Sequence, residues 1–136
     1  MFVLIGDVLF PPAERRRSGL AILSWWEARR PTYNLIVGAT GAFTVVAIRL
    51  ISIVPPGIKA PLDWRPVVAY AVLANVCYSF GWVLESAAQR LWGDRVRPLG
   101  PALFRQGVAF SVGLTLLPVL VASMAWVVRL GLAIFR

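Results

Sequence analysis

The chain has 136 residues, of which 59% are hydrophobic, and a formal net charge of +8 from 14 Lys and Arg against 6 Asp and Glu. It contains no histidine and one cysteine, Cys77, which excludes an internal disulfide and removes the usual ligands of haem, zinc and iron–sulfur clusters. A soluble chain this apolar would aggregate, so the composition predicts an integral membrane protein with no room for a separate soluble domain.

The N-terminal segment, residues 1–31, is predicted to precede the membrane-spanning part. Its first ten residues are too few to span a bilayer, and they lack the basic region that begins a signal peptide. Residues 13–30 place Leu, Ile and Trp at three- and four-residue spacing, which predicts an amphipathic helix on the membrane surface. We expect Pro31 to end this helix and Thr32 to cap the first span.

Three apolar stretches follow, each with about the 20 residues that a helix needs to cross a hydrocarbon layer about 30 Å thick. The first is expected to stop at Pro55, and the third carries Pro118, which is expected to kink it. The predicted fold class is therefore all-α, an integral membrane bundle of three transmembrane helices preceded by an amphipathic interfacial helix. The predicted spans are residues 34–54, 66–86 and 106–130 of a bundle that covers residues 32–136.

Arginine predominates among the cations and is concentrated at one end of the predicted spans. Nine cations precede the first span or surround the loop between the second and third, whereas five lie at the other end. The positive-inside rule therefore predicts a cytoplasmic N-terminus and a periplasmic C-terminus. We expect these cations and the nearby Trp side chains to contact lipid headgroups, anionic ones in particular, and not nucleic acid. The predicted headgroup residues are Arg15, Arg16, Arg17, Trp25, Trp26, Arg29, Arg30, Arg90, Trp92, Arg95, Arg97 and Arg105.

On a helical wheel, each span has one stripe of small or polar residues and an otherwise apolar surface. Lipid offers no hydrogen-bond partners, so such stripes are expected to face other helices. Glu85 is expected at the cytoplasmic interface, within reach of water. The predicted helix-packing residues are Gly38, Gly41, Arg49, Asn75, Tyr78, Ser79, Trp82, Ser111, Thr115 and Pro118.

The stripes supply little chemistry. A serine nucleophile needs a general base, and the chain has no His and one Lys, Lys59, in a predicted loop. A transport path would use Arg49 or Asn75, but Arg49 is close enough to the outer boundary to reach headgroups, and Asn75 is uncharged. We therefore expect a protein that is not an enzyme and has no intrinsic cofactor or metal. Bound lipids are expected, and a pigment would be held by contact alone.

Two runs resemble segments of small uncharacterised bacterial inner-membrane proteins with three or four transmembrane helices. The runs are Trp-Trp-Glu-Ala-Arg-Arg-Pro-Thr-Tyr-Asn at residues 25–34, leading into Val37 and Gly38, and Asn-Val-Cys-Tyr-Ser-Phe-Gly-Trp at residues 75–82. The resemblance covers the first two spans. It implies a bacterial inner-membrane location and no particular activity.

The leading interpretation is a non-catalytic accessory subunit that packs among other transmembrane subunits of a larger bacterial membrane complex, such as a respiratory or photosynthetic one. Two alternatives remain open. One is a small homo-oligomeric transporter or channel component whose stripes line a path between protomers. The other is a stand-alone lipid-interacting membrane protein.

Overall fold

The computed structural model describes residues 18–56, 63–93 and 99–135. They form three helices, α1 (Gly19–Ile53), α2 (Arg65–Trp92) and α3 (Gly100–Ile134), and no strand occurs in these ranges. Each helix is long and apolar enough to cross a membrane. The predicted fold class, an all-α multi-pass membrane protein with three transmembrane helices, is confirmed.

The predicted separation of an interfacial helix from the first span is wrong, because α1 continues through Pro31 without a break. Proline removes one backbone hydrogen bond, which a helix tolerates where tertiary contacts hold it on both sides. Trp26 and Tyr33, both 2% exposed, supply such contacts on the two sides of Pro31. Ser18, and not Thr32, caps the helix, since its hydroxyl accepts from the Ala21 N–H at 3.3 Å. Residues 13–17 lie outside the described ranges.

The other helix ends depend on proline and glycine. α1 stops just before Pro55, as predicted. α2 has a proline in its first turn, and Gly93 follows its last residue, Trp92, as the C-cap. The φ of Gly93, 53°, is a left-handed conformation that favours glycine. α3 begins at Gly100, six residues before the predicted start, because Pro101 fits the first turn of a helix, where an N–H has no partner. The helix then passes through Pro118 and ends at Ile134.

α1 and α3 run parallel and pack extensively against each other, while α2 runs antiparallel to both and makes fewer contacts. The parallel register is visible where Thr44 of α1 meets Thr115 of α3 and where Trp126 Nε1 donates to the Val54 carbonyl at 3.0 Å. The start of α1, the end of α2 and the start of α3 therefore lie together. We call this end of the bundle the Ser18 end.

The buried positions recur with nearly the same spacing in all three helices. Intervals of four and seven residues alternate along α1 and α3, and α2 differs only in its last interval. Four plus seven residues complete about three turns at 3.67 residues per turn, close to the 3.6 of a straight helix. One face of each helix thus stays turned inward over the part of the helix that these positions cover. These positions are Ile22, Trp26, Tyr33, Val37 and Thr44 in α1, Ala74, Tyr78, Glu85 and Ala88 in α2, and Gly100, Phe104, Ser111 and Thr115 in α3.

Candidate functional site: two polar junctions inside the bundle

Glu85 is a buried carboxylate near the Ser18 end. It is 2% exposed, and its Oε2 accepts a hydrogen bond of 2.7 Å from the Nε1–H of Trp26 on α1. The Trp26 carbonyl accepts a second bond of 2.6 Å from the hydroxyl of Tyr78 on α2. We call these three residues the Glu85 junction, and they connect α1 to α2 through two buried hydrogen bonds.

The predicted contacts of Trp26 with headgroups and of Glu85 with water are therefore wrong. Glu85 follows Tyr78 by seven residues, about two turns, so the two side chains share one face of α2. That face points into the bundle, where a buried carboxylate needs a hydrogen-bond donor. The Trp26 indole N–H meets this need, which also explains why an aromatic residue next to Arg side chains turns inward.

Two glycines leave the space that this junction occupies. At Gly81 of α2, an added Cβ would overlap the six-membered ring of Trp26. At Gly100, an added Cβ would lie 2.6 Å from Glu85 Oε2 and 3.0 Å from Oε1. The carboxylate thus lies against the first turn of α3, where negative charge is favourable because of the helix dipole. α3 has no acidic residue of its own in that turn, so Glu85 of α2 supplies the charge.

Aromatic rings pack around the junction. The Trp26 ring meets the Tyr78 ring edge-on at 5.2 Å between centroids, and the Phe104 ring of α3 at 6.3 Å. Tyr33 lies 4.6 Å from Tyr78 on the other side. Edge-on pairs at these distances are favourable and have a defined geometry. The rings fix the position of the Trp26 indole and shield the Glu85 carboxylate.

Arg30 forms a second link between α1 and α2. Its guanidinium pairs with Glu27 one turn earlier at 2.7 Å, donates to Ser79 Oγ at 3.1 Å and reaches Asn75 Oδ1 at 3.5 Å. It also lies over the Tyr78 ring, 5.1 Å from the centroid. Arg30 is thus placed between two helices as well as near the surface, where the sequence predicts headgroup contact.

A second cluster lies about 10 Å deeper along α1, seven residues beyond Trp26. The Tyr33 hydroxyl is 2.8 Å from Ser111 Oγ, and the Tyr70 hydroxyl is 2.7 Å from Thr115 Oγ1. Thr44 Oγ1 donates to the Thr115 carbonyl at 2.9 Å. We call these five residues the Tyr33 junction, and they join all three helices.

The hydroxyl protons of this junction can all be placed. If Tyr33 donates to the Ala74 carbonyl at 3.3 Å, Ser111 donates to the Tyr33 oxygen. If Thr115 donates to the Ser111 carbonyl at 2.6 Å, Tyr70 donates to Thr115. Each hydroxyl then has an acceptor for its single proton. The cluster is a satisfied network, which is favourable in lipid because lipid offers no alternative partners.

The predicted packing residues fall into three groups. Buried between helices are Tyr78, Ser111 and Thr115. Four more lie at the margin of the helix contacts: Gly41, Asn75, Ser79 and Trp82. An added Cβ at Gly41 would lie 4.0 Å from Thr115, and Trp82 packs on the core. Asn75 and Ser79 bond to carbonyls of their own helix and face Arg30. On the outer surface are Gly38, Arg49 and Pro118.

Gly38, Arg49 and Pro118 do not lie between the three helices of this bundle, and their packing against helices of other subunits stays a prediction. A Cβ at Gly38 would have nothing within 4 Å, and Pro118 is exposed. Small residues have little area to bury on either face, so their presence alone does not identify the packed side. Arg49 lies four residues before the end of α1, where its side chain can extend along the surface.

The predicted headgroup residues are placed in different ways. Arg29 lies over the Trp25 ring at 3.9 Å and donates to the Trp25 carbonyl at 3.1 Å. Trp25 packs in turn on Phe104, with 6.2 Å between ring centroids. Arg90, Trp92 and Arg105 are exposed at the Ser18 end. Arg15, Arg16, Arg17, Arg95 and Arg97 lie outside the described residues.

The sequence interpretation missed Tyr33, Thr44, Tyr70 and the burial of Glu85. The alternating four- and seven-residue spacing would have identified most of them. Counting eleven residues back from Thr44 reaches Tyr33 and then Ile22, and eleven before Glu85 is Ala74. Tyr70 does not follow this spacing, and nothing in its local sequence distinguishes it from an interfacial tyrosine.

Chemically, the two junctions hold donors and acceptors in fixed pairs and bring α1, α2 and α3 together. Among residues 18–56, 63–93 and 99–135, no three His, Cys, Asp or Glu side chains form a group that could hold a metal ion. No protein-family model matches the chain, and neither the curated proteins nor the solved structures compared with it give a match.

Proposed function

We propose that the protein is a non-catalytic accessory transmembrane subunit that packs among other subunits of a larger bacterial membrane complex. The observation that carries the proposal is that its buried polar groups bond to one another across the helices. The buried hydroxyls of the Tyr33 junction and the carboxylate of the Glu85 junction bind partners on neighbouring helices of the same chain. Polar groups arranged in this way support a structural role, because a transport path needs polar groups that a solute can reach.

The outer surface supports the same proposal. Large apolar side chains project from every helix, for example Leu35 at 73% exposed, Phe80 at 57% and Phe110 at 70%. In lipid, helices associate through van der Waals packing and interhelical hydrogen bonds. A bundle whose junction hydroxyls bond to one another and to its own carbonyls presents mainly apolar surface to its neighbours, which suits packing among other transmembrane subunits.

The test is purification from the native membrane in a gentle detergent, followed by native electrophoresis. We expect the chain to migrate within a much larger complex, and its deletion to lower the yield of that complex while leaving the turnover of each remaining complex unchanged. Migration as a free monomer or homo-oligomer would contradict the proposal.

A transport assay separates the proposed role from the homo-oligomeric transporter. The purified chain in liposomes is expected to move no ion or solute above the rate of empty vesicles. Arg49→Ala and Asn75→Ala are expected to complement the deletion as wild type does, because neither side chain belongs to a buried junction. Transport that is abolished by either substitution would favour the transporter instead.

We also propose that the chain lies in the bacterial inner membrane with the Ser18 end in the cytoplasm. Of the seven described cations, Arg29, Arg30, Arg90 and Arg105 lie towards this end, whereas Arg49, Arg65 and Arg129 lie towards the other. This excess has the direction that the positive-inside rule requires. Reporter fusions should be placed at the N-terminus and after Asp63, Asp94 and Arg136, because a fusion after Arg30 would interrupt α1. The expected sequence is inside, outside, inside, outside, and a cytoplasmic signal at Arg136 would contradict it.

A further inference from the structure

An apolar groove lies between the start of α1 and the end of α2, at the Ser18 end. Its volume is about 810 Å³. Along α2 it extends from Trp82 to Leu91, a rise of about 13 Å at about 1.5 Å per residue. Its walls include Leu20, Leu23, Trp82, Val83, Ala87 and Leu91. The groove therefore runs along the helices, in the direction that lipid acyl chains take in a bilayer.

Arg90 lies at the same groove, in the last turn of α2. Its side chain is exposed, and no carboxylate in the described parts of the chain pairs with it. Arg30, by contrast, pairs with Glu27. A cation that no described carboxylate pairs with, placed at an apolar groove, matches a ligand with a negative head and an apolar tail.

We propose that this groove binds an acidic phospholipid, with one acyl chain against Trp82 and Ala87 and the headgroup phosphate at Arg90. The proposal goes beyond the accessory role and holds equally for a stand-alone protein. One arginine near a membrane surface contributes about 1 kcal/mol of attraction for acidic lipid, which corresponds to about a fivefold preference. A lipid held in this way would fill the groove between the start of α1 and the end of α2.

The test uses the purified full chain in detergent with an equimolar mixture of phosphatidylglycerol and phosphatidylcholine carrying the same acyl chains. Native mass spectrometry counts the lipids that remain bound. We expect wild type to retain about five phosphatidylglycerol molecules for each phosphatidylcholine. Arg90→Gln is expected to bring this ratio to about one, and Arg90→Lys to preserve it. Arg65→Gln is the matched control, because Arg65 is also exposed on α2 but lies at the opposite end.

A second pair of variants tests the groove itself. Ala87→Phe places a ring in the groove and is expected to reduce retention of both lipids at least fivefold. Ala69→Phe adds the same ring to an exposed site on α2 outside the groove and is expected to have no effect. Thermal unfolding of each variant confirms that the bundle is intact before lipids are counted.

Three results would overturn the proposal. The first is a wild-type ratio near one, and the second is an equal effect of the Arg90→Gln and Arg65→Gln substitutions. The third is complete displacement of phosphatidylglycerol by glycerol phosphate at the same concentration, which would show a site for a free anion and not for a lipid.

Discussion

The fit between Gly81 and Trp26 gives the sharpest prediction about this bundle. Gly81→Ala adds one methyl group to α2, at a point where the Trp26 ring of α1 already occupies the space. The ring has little freedom to move, because Trp26 is 2% exposed and its Nε1 is bonded to Glu85 at 2.7 Å. It also packs on Tyr78 at 5.2 Å.

The size of the effect follows from two opposing contributions. Alanine is favoured over glycine inside a helix by about 0.8–1.0 kcal/mol. Overpacking a well-filled site is unfavourable by about 1–3 kcal/mol, and a ring displaced from Glu85 would lose a hydrogen bond to a charged group worth about 1.5–3 kcal/mol. The balance is a loss of up to about 2 kcal/mol if the ring keeps its bond to Glu85, and of about 1.5–5 kcal/mol if that bond is lost. We therefore expect Gly81→Ala to lower the free energy of unfolding by at least about 1 kcal/mol.

Gly38→Ala is the matched control, since Gly38 also lies inside a helix but has nothing within 4 Å of an added Cβ. It is expected to be neutral or to stabilise by up to about 1 kcal/mol. Free energies of unfolding are measured in mixed micelles by circular dichroism. Trp26→Leu completes a double-mutant cycle, in which the effect of Gly81→Ala should shrink by at least about 0.5 kcal/mol once the large ring is gone.

A Gly81→Ala protein as stable as the Gly38→Ala protein would contradict the fit between Gly81 and Trp26. So would an effect of Gly81→Ala that is the same with and without the Trp26 indole. Either result would mean that the indole does not lie over Gly81.

Five further substitutions, at Glu85, Tyr33, Asn75 and Leu73, test the junctions and the assigned helix faces by the same unfolding measurement. Glu85→Gln keeps an acceptor for the Trp26 N–H but loses the negative charge beside the first turn of α3, so it should destabilise by about 1 kcal/mol. Glu85→Leu loses the acceptor as well and should destabilise by more. Equal stability of both variants and wild type would contradict the Glu85 junction. Tyr33→Phe removes only a hydroxyl and should destabilise by about 0.6–1.7 kcal/mol. Unchanged stability would mean that the hydrogen bonds of this hydroxyl do not stabilise the bundle. Asn75→Leu should destabilise by less than about 0.6 kcal/mol, because the Asn75 amide bonds mainly within its own helix. Leu73→Val changes a site that is 57% exposed and should leave the stability unchanged. A larger loss of stability at Leu73 than at Asn75 would mean that the two faces of α2 are assigned the wrong way round.

The helices could be predicted from the sequence because the length of an apolar run is a direct measure of its ability to cross a bilayer. The stop before Pro55 follows from the same local chemistry. Pro31 shows where local reasoning fails. Its effect on α1 depends on Trp26 and Tyr33, which hold the helix on either side, and these contacts involve residues more than forty positions away.

The candidate site was predictable only in part. Ser111 and Thr115 are polar residues on one face of an apolar helix, and because lipid offers them no hydrogen-bond partner, they are expected to contact another helix. Glu85 and Trp26 are different, because each is a common residue at membrane surfaces. Their burial depends on a partner from another helix and on the space that Gly81 leaves, which a single helical wheel does not contain.

The two junctions also explain how α2 is held in place. α1 and α3 lie parallel and pack along their length, so van der Waals contact can hold this pair together. α2 packs less extensively on both, yet several hydrogen bonds join it to α1. Arg30 and Tyr33 of α1 donate to α2, and α2 donates to the Trp26 carbonyl. Polar contacts therefore carry a larger share of its attachment than they do for the other two helices. Since lipid supplies no competing hydrogen-bond partners, a helix held in this way can pack sparsely, leave a groove beside α1 and remain part of the bundle.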